Sequence, residues 1–169
     1  DRGALRRMPD ASRDAELAYR AELAALRLRV ERVRERGLNE EDALNRSYLL
    51  RVIDQAIENV DLDFSRASFG AGGGFLSAIS YLAYSTPIQS ADDAEAWLAR
   101  LEATPTYYAQ STANARRGIE TGYTQPRIVA ERGLAAGQRL TGTLEETLLT
   151  PFEAMPDTIP AAQQEQYRE

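Results

Sequence analysis

Residues 10–36 read DASRDAELAYRAELAALRLRVERVRER, and this stretch decides the fold because it predicts one long amphipathic helix. Its apolar side chains recur at intervals of three and four residues, which is the spacing of one face of an α-helix. The pattern covers too few heptads for a free-standing coiled coil, so it predicts a helix that packs against another helix of the chain. Asp10 or Ser12 can cap its start, and Gly37 is placed to end it. The apolar seam consists of Tyr19, Leu23, Leu26, Val30 and Val33, and it is widened by Leu17, Ala21, Ala24 and Leu28.

The next segment predicts the partner helix. Asn39 is a suitable cap, and the acids at 40–42 stand where the positive end of a helix dipole favours them. Two adjoining apolar faces come after the cap, made of Leu44, Tyr48 and Val52, and of Leu49, Ile53, Ile57 and Val60. Because the link at Gly37 and Leu38 is short, the two helices are expected to be antiparallel. We therefore expect an all-α fold, a multi-helix array that begins with an antiparallel helix pair.

The rest of the chain predicts further helices separated by turn signals, all within a single domain over residues 1–169. Alternating apolar residues at 60–64 allow a short extended stretch, and the glycines at 70–74 favour a loop. Gly133 and Gly137 indicate either a marginal helix or a closely packed neighbour. Phe75–Tyr84 is predicted to be a helix that Pro87 stops, and Ser90 is predicted to cap the next helix, whose Trp97, Leu98 and Leu101 face inward. Thr104 and Pro105 are predicted to begin a new helix that ends near Gly118 or Gly122, and another helix is predicted to begin at Thr124–Pro126. A capping box is predicted at Thr143–Glu146 before Pro151, and a last helix is predicted to begin at Thr158–Pro160.

Composition excludes most enzymatic chemistry for this chain. The sequence has no His and no Cys, and all 20 of its basic residues are Arg. There is consequently no imidazole base, no Ser-His-Asp triad, no thiolate nucleophile and no Schiff-base lysine. Zinc sites are rarely built from carboxylates alone. We therefore expect no catalytic residue and no metal ligand set within this chain.

Charge and hydropathy limit the partners. The formal net charge is −6 without a basic block, which disfavours nucleic-acid binding because that affinity comes mainly from phosphate neutralisation. No stretch approaches the ~20 apolar residues of a membrane-spanning helix. The chain starts at Asp1 without Met and stops at Glu169 within a helical pattern, so we interpret it as a segment of a longer protein.

Three short motifs are better explained by local structure than by ligand binding. The cluster Gly70–Gly74 lacks the Lys and Ser/Thr of a phosphate loop, so it predicts a flexible loop or a close approach of backbone to a neighbour or ligand. Asp61–Ser65 resembles the opening of a calcium loop, but Arg66 replaces the required glycine. Acidic groups at 40–42, 92–95 and 145–146 stand in predicted first helical turns, where the helix dipole accounts for them.

Aromatic and basic residues in the middle of the chain leave two interpretations open. Trp97, Tyr81, Tyr84, Tyr107, Tyr108 and Tyr123 form either helix–helix core or the lining of a groove for peptide or sugar. Arg116 and Arg117 either bind an anion or interact with the end of their helix.

From Ser90 onward the order of residues resembles a known bacterial family. The resemblance is carried by Asp93–Leu101 (DAEAWLARL), Pro105, Arg117–Ile119, Gly122, Pro126–Val129 and Pro151–Phe152, and the opening Met8–Ser12 with the helix pair after it fits the same family. The family is filed as domain of unknown function eight-eight-five, and many of its members are labelled lipoproteins. It is similar in build to helical zinc metallopeptidases that enclose peptides in a deep channel.

The resemblance implies a function for this region. Family members look like hydrolases whose zinc and His-Glu motif lie in a C-terminal half, so the present residues would form a helical wall of the substrate channel and support that half. The implied partners are the remainder of the polypeptide and a peptide substrate, and the implied location is exported or periplasmic. The residues chosen as substrate contacts are Gly72, Gly73, Gly74, Tyr81, Tyr84, Tyr107, Tyr108 and Arg127.

Two rival functions remain open from the residues alone. The seam from Tyr19 to Val33 could serve a partner chain, which would make the chain a stand-alone helical scaffold or interaction module without enzymatic role. A hydrolase that depends on the carboxylates of Asp92, Asp93 and Glu95 is the other rival.

Overall fold

The computed structural model describes residues 2–70 and 74–168, and its secondary structure is helical. The α-helices of this part of the chain are α1 (Arg13–Arg32), α2 (Glu40–Asp61), α3 (Ala78–Ser85), α4 (Ala91–Glu120), α5 (Arg127–Gly142), α6 (Leu144–Leu149) and α7 (Ala161–Gln166). Short 3-10 turns lie at Arg2–Arg6, Phe64–Arg66, Gly74–Ser77 and Thr150–Phe152. The prediction of an all-α fold is confirmed.

The chain opens with the predicted antiparallel helix pair. Arg20 of α1 pairs with Asp61 at the end of α2, whereas Arg27, further along α1, pairs with the earlier Asp54. The two helices therefore run in opposite directions, and their shared core consists of Leu23, Val30 and Ile53. The seam is buried only at its centre, because Tyr19 and Val33 at its two ends keep about half of their surface exposed (52% and 47%).

The ends of this pair follow local rules. Ser12 accepts a hydrogen bond from the Ala15 amide, and Asn39 accepts one from the Asp42 amide, so both predicted caps are confirmed. Helix α1 ends at Arg32, four residues earlier than the predicted Arg36. Gly37 lies in the connecting turn with φ of +110°, a conformation that favours glycine.

A second, larger core lies between α3, α4 and the segment around Phe152. Trp97, Phe152 and Ile79 are its largest fully buried side chains. The Trp97 indole donates a hydrogen bond to the Leu148 carbonyl at 3.0 Å, which satisfies its one polar atom. Leu98 and Leu101 pack against this cluster as predicted from their spacing.

The start of the chain is fastened to α4 by a buried arginine that the sequence did not single out. Arg100 is 6% exposed, and its guanidinium donates to the Ala4 carbonyl at 2.7 Å and to the Arg7 carbonyl at 3.3 Å. These bonds hold the first 3-10 turn along α4. Helices α1 and α2, in contrast, pack chiefly against each other.

One predicted helix boundary is wrong. Thr104 and Pro105 do not begin a helix, because α4 continues through them as a single helix of 30 residues. The Thr104 hydroxyl donates a hydrogen bond to the Arg100 carbonyl at 2.9 Å. This side-chain bond lies next to Pro105, which has no N–H and so cannot donate a helical hydrogen bond of its own. The helix ends at Glu120, within the predicted limits of Gly118 and Gly122.

Three shorter predictions are also corrected. The residues at 60–64 are not extended, since α2 runs to Asp61 and is succeeded by a 3-10 turn at Phe64–Arg66. The helix predicted from Phe75 begins as the 3-10 turn Gly74–Ser77 and becomes α3 only at Ala78. Thr143 makes no capping bond, because it also closes the end of α5 and its hydroxyl lies near the Arg139 carbonyl instead.

The glycines inside α5 pack closely against neighbours. A Cβ built on Gly133 would lie 3.0 Å from the Phe69 ring, and one built on Gly137 would lie 3.2 Å from Leu76. Of the two explanations that the sequence allowed, close packing is therefore confirmed. Within the part of the chain that the structure describes, no helix is both long and apolar enough to span a bilayer.

Candidate functional site

A groove of about 480 Å³ lies between α3, α5 and α6. One wall comes from the turn before α3 and from α3 itself, where residues at intervals of three and four share a face. The opposite wall comes from the last turns of α5 and the start of α6. Its lining residues are Leu76, Ser77, Ser80, Tyr84, Ala136, Arg139, Leu140, Thr143 and Thr147.

The lining is apolar with hydroxyl groups and a single guanidinium. Leu76, Ala136 and Leu140 supply the apolar surface, and Arg139 is the charged residue among the lining side chains. Such a surface can bind a ligand by apolar contact and hydrogen bonding. None of its lining side chains is a carboxylate, an imidazole, a thiol or a lysine amine.

Gly74 positions the wall that carries Leu76. Its φ is +61°, and an added Cβ would lie 2.3 Å from the Ser68 carbonyl oxygen and 2.9 Å from the Phe69 Cα. The close approach of backbone to a neighbour, one of the two explanations for the glycine cluster, is therefore correct at this position. Gly72 and Gly73, the other glycines chosen from the sequence, lie outside the described residues.

Tyr108 contacts the same turn, Gly74–Ser77, through its hydroxyl group and its ring. Its hydroxyl donates to the Leu76 carbonyl at 3.0 Å, and its ring lies 5.9 Å from Phe75 and 5.6 Å from Tyr107, centroid to centroid. Burial raises the pKa of the Tyr108 phenol, with a smaller contribution from Tyr107. Tyr107 and Tyr108 thus belong to a half-buried aromatic cluster behind the groove.

The two tyrosines of α3 differ in position. Tyr84 lines the groove and keeps 73% of its surface exposed, so its ring is available to a ligand. Tyr81 is 74% exposed and is not among the groove-lining residues. Of the predicted contact residues, Tyr84 lies in the groove, and Gly74 and Tyr108 support its wall.

Arg127 lies far from this groove. It is the first residue of α5 and is exposed, whereas the groove begins near the other end of that helix. Arg127 precedes Arg139 by 12 residues, a distance of about 18 Å along a helix axis at 1.5 Å per residue. The structure does not bring Arg127 together with the groove residues.

The sequence missed a charged cluster at the base of the helix pair. The Asp63 carboxylate lies 2.8 Å from Arg117, 3.2 Å from Arg66 and 3.4 Å from Arg13. The hydrogen bond from Arg117 is the main reason that the pKa of Asp63 is lowered, and burial opposes it. The same bond raises the pKa of Arg117.

This cluster explains two motifs differently from the sequence analysis. The acids of Asp61–Ser65, which resemble the start of a calcium loop, are paired with guanidinium groups. Arg117 pairs with an acid 54 residues earlier in the chain, rather than with an anion or only with its own helix end. The described residues contain no group of three or more His, Cys, Asp or Glu placed to hold a metal ion.

Asp93 of α4 takes the capping role that the sequence favoured. Asp93 is buried, accepts a hydrogen bond from the Ser90 hydroxyl at 2.9 Å and accepts another from the Gln89 amide at 3.1 Å. Ser90 in turn accepts from the Asp93 amide, so the two residues cap the helix reciprocally.

Comparison with known proteins gives one match. The model of a family described as bacterial protein of unknown function, DUF885, matches residues 2–169. No curated protein sequence and no solved structure matches the chain.

Proposed function

The chain belongs to the bacterial DUF885 family of unknown function, and from this membership we propose that it is the non-catalytic N-terminal helical region of a zinc-dependent peptidase. In this proposal the chain forms part of the wall of a substrate channel. The zinc and the catalytic side chains are supplied by a C-terminal half of the same polypeptide. On the same family grounds we propose that the protein is exported.

The observation that carries the proposal is the groove between α3, α5 and α6. It offers apolar surface, hydroxyl groups and an exposed tyrosine, which suit contact with an extended peptide. The groove is open to solvent on the side of Tyr84, so a facing half could close it into a channel. These properties support a wall that binds substrate without performing the chemistry.

A second observation concerns the support of the other half. On α2, Leu44, Tyr48 and Val52 stand at intervals of four residues and are 69%, 67% and 42% exposed. Residues four apart lie on the same face of a helix, so they form a continuous apolar stripe. A stripe of this kind is suited to pack against further helices of the same polypeptide.

The test is made on the complete gene product that contains this chain. We expect about one zinc ion per polypeptide by elemental analysis, and peptide hydrolysis that a zinc chelator abolishes. Tyr84→Ala is expected to raise KM several-fold with little change in kcat, because it removes contact made equally in the ground and transition states. Ile119→Ala, which changes a side chain on α4 that is equally exposed (71%) but outside the groove, is the control. A complete protein that holds no zinc and cleaves no peptide would contradict the proposal.

The apolar stripe of α2 also suits the alternative of a scaffold or interaction module. The gene sequence downstream of Glu169 distinguishes the two functions. A helical segment with a His-Glu motif supports the peptidase, and a stop codon within a few residues supports the scaffold.

A further inference from the structure

Arg139 places a positive charge at the rim of the groove. Its guanidinium makes no hydrogen bond or ion pair with the described residues, and none of the groove-lining residues is acidic. The nearest acids along the chain, Glu145 and Glu146, line a neighbouring depression that shares Thr143 with the groove. A guanidinium in this setting is free to bind an anionic group of a ligand.

Thr147 provides a hydroxyl group in the floor of the same groove. The residue is 4% exposed, yet it is one of the lining residues and its hydroxyl has no hydrogen-bond partner within 2–70 and 74–168. None of the side-chain oxygens and nitrogens in that part of the chain is both fully buried and unsatisfied. The Thr147 hydroxyl oxygen therefore keeps some accessible surface, and the groove that Thr147 lines is where a ligand atom could reach it.

The surface between these two groups is apolar. Leu76 and Leu140 lie on opposite walls, and Ala136 leaves room between them. The hydroxyls of Ser80 and Tyr84 also lack partners among the described residues, so they add donors at the edge. The groove volume of about 480 Å³ is in the range of sites that hold a small ligand.

We propose that this groove binds the C-terminal residue of a peptide, with the free α-carboxylate on Arg139 and Thr147 and an apolar side chain between Leu76 and Leu140. Arginine presents paired N–H donors that match the geometry of a carboxylate. A single cation beside an apolar floor suits one negative charge joined to an apolar group. The inference rests on the proposed function and names the part of the substrate that this wall recognises.

The experiment measures binding by fluorescence anisotropy to the complete gene product, with a zinc chelator present so that the peptide stays intact. The probe is an N-terminally labelled Gly-Gly-Ala-Leu peptide, compared with its C-terminal amide. A third peptide, the amide with Glu in place of Ala, separates an α-carboxylate from a side-chain carboxylate. We expect the free acid to bind about tenfold more tightly than either amide, as is typical for one charge-assisted contact.

The variants assign this preference to the groove. Arg139→Gln should bind the acid and the amide equally, and Thr147→Val should weaken binding of the acid by about threefold. Arg132→Gln is the matched control, because Arg132 is an exposed arginine seven residues earlier on α5, outside the groove. It should retain the tenfold preference. Substitution of an exposed arginine changes stability little, so both arginine variants can be measured in the folded state.

Equal binding of acid and amide by the wild-type protein would overturn the inference, and so would an unchanged preference in Arg139→Gln. Binding of the Glu-containing amide as tightly as the free acid would also contradict it. Zinc-dependent hydrolysis without a carboxylate preference would leave the proposed function standing and reject the subsite. If the protein holds no zinc and cleaves no peptide but still prefers the free acid through Arg139, the subsite stands and the proposed function is rejected.

Discussion

Asp63 combines a left-handed backbone with a carboxylate held by three arginines. Its φ is 52°, and among the described non-glycine residues Asp63 is the one with a positive φ. Aspartate tolerates that region better than most residues do. Arg13 comes from α1, Arg66 from the turn after α2 and Arg117 from α4. The carboxylate therefore joins the base of the helix pair to the longest helix of the larger core.

Asp63→Asn is expected to lower the free energy of unfolding by about 1–3 kcal/mol, because it leaves partly buried guanidinium groups without their acid. Asparagine also tolerates a positive φ, so the substitution tests the charge rather than the backbone. Urea unfolding at pH 7, monitored by circular dichroism, measures the difference. Asp14→Asn, an exposed acid of α1 for which no ion pair is found in the described residues, is the control and should change stability little.

The loss in Asp63→Asn should also depend on pH. Because the pKa of Asp63 is lowered in the folded state, mainly by Arg117, its contribution to stability is complete above the unfolded value of about 3.9. The contribution disappears as the pH falls through the lowered folded value. The stabilities of wild type and variant should therefore begin to converge as the pH falls below about 4, and the convergence should be complete only below the lowered folded pKa. A difference that stays constant from pH 7 to pH 2.5 would show that the charge is not the cause.

Helix α4 continues through a proline, although proline inside a helix is locally unfavourable. Pro105 lies near its middle, where proline removes one backbone hydrogen bond and clashes with the preceding turn. The helix continues because Trp97 and Leu101 before the proline, and Tyr108 after it, all pack against the same core. Burial of apolar side chains along one face of α4 stabilises the helix by more than Pro105 destabilises it.

Pro105→Ala is expected to raise the melting temperature, with a gain of about 1 kcal/mol or more, because alanine restores the missing amide in an exposed position of the helix. Thermal unfolding by circular dichroism measures it. Glu102→Ala, an exposed position one turn earlier, controls for the general effect of alanine on this helix. A lower melting temperature in Pro105→Ala would indicate that proline is needed at this position to fit α4 to the core.

On the scale of the whole molecule, the residues at 2–70 and 74–168 form two separate apolar cores. The helix pair is built around Leu23, Val30 and Ile53, whereas the body is built around Trp97 and Phe152, and the two clusters share no residue. Polar contacts at the base connect them, chiefly the Asp63 cluster and the bond from Asn114 to the Ala11 carbonyl at 2.7 Å. Separate cores of this kind can open separately.

Ile53→Ala and Phe152→Ala should each cost about 2–5 kcal/mol, because both remove buried side-chain atoms and leave a cavity. We expect Ile53→Ala to increase hydrogen exchange in α1 and α2 and to leave the fluorescence of Trp97 unchanged. Phe152→Ala should change that fluorescence and increase exchange in α3 and α4. Equal loss of protection in both regions from either substitution would show that the two cores unfold as one unit.

Much of the helical framework could be predicted from the sequence. The caps at Ser12, Asn39 and Ser90 were correct because each depends on an amide two or three residues away. Pro105 and Thr143 were misread by the same local rules, since tertiary packing and the direct junction of α5 with α6 changed their surroundings. Tyr84 was chosen as a substrate contact from the family resemblance, and that role stays a prediction.

The sequence by itself determined that the chain is helical, where most helices begin, and that imidazole, thiolate and lysine chemistry is absent. These properties depend on residue type and on spacing within one turn of a helix. Only the tertiary structure decided that Asp63 meets Arg117 and that Thr147 lines the same groove as Arg139. Those contacts depend on how elements far apart in the chain pack together. Packing is driven by burial of apolar surface, which leaves no local sequence pattern to show which distant residues will meet.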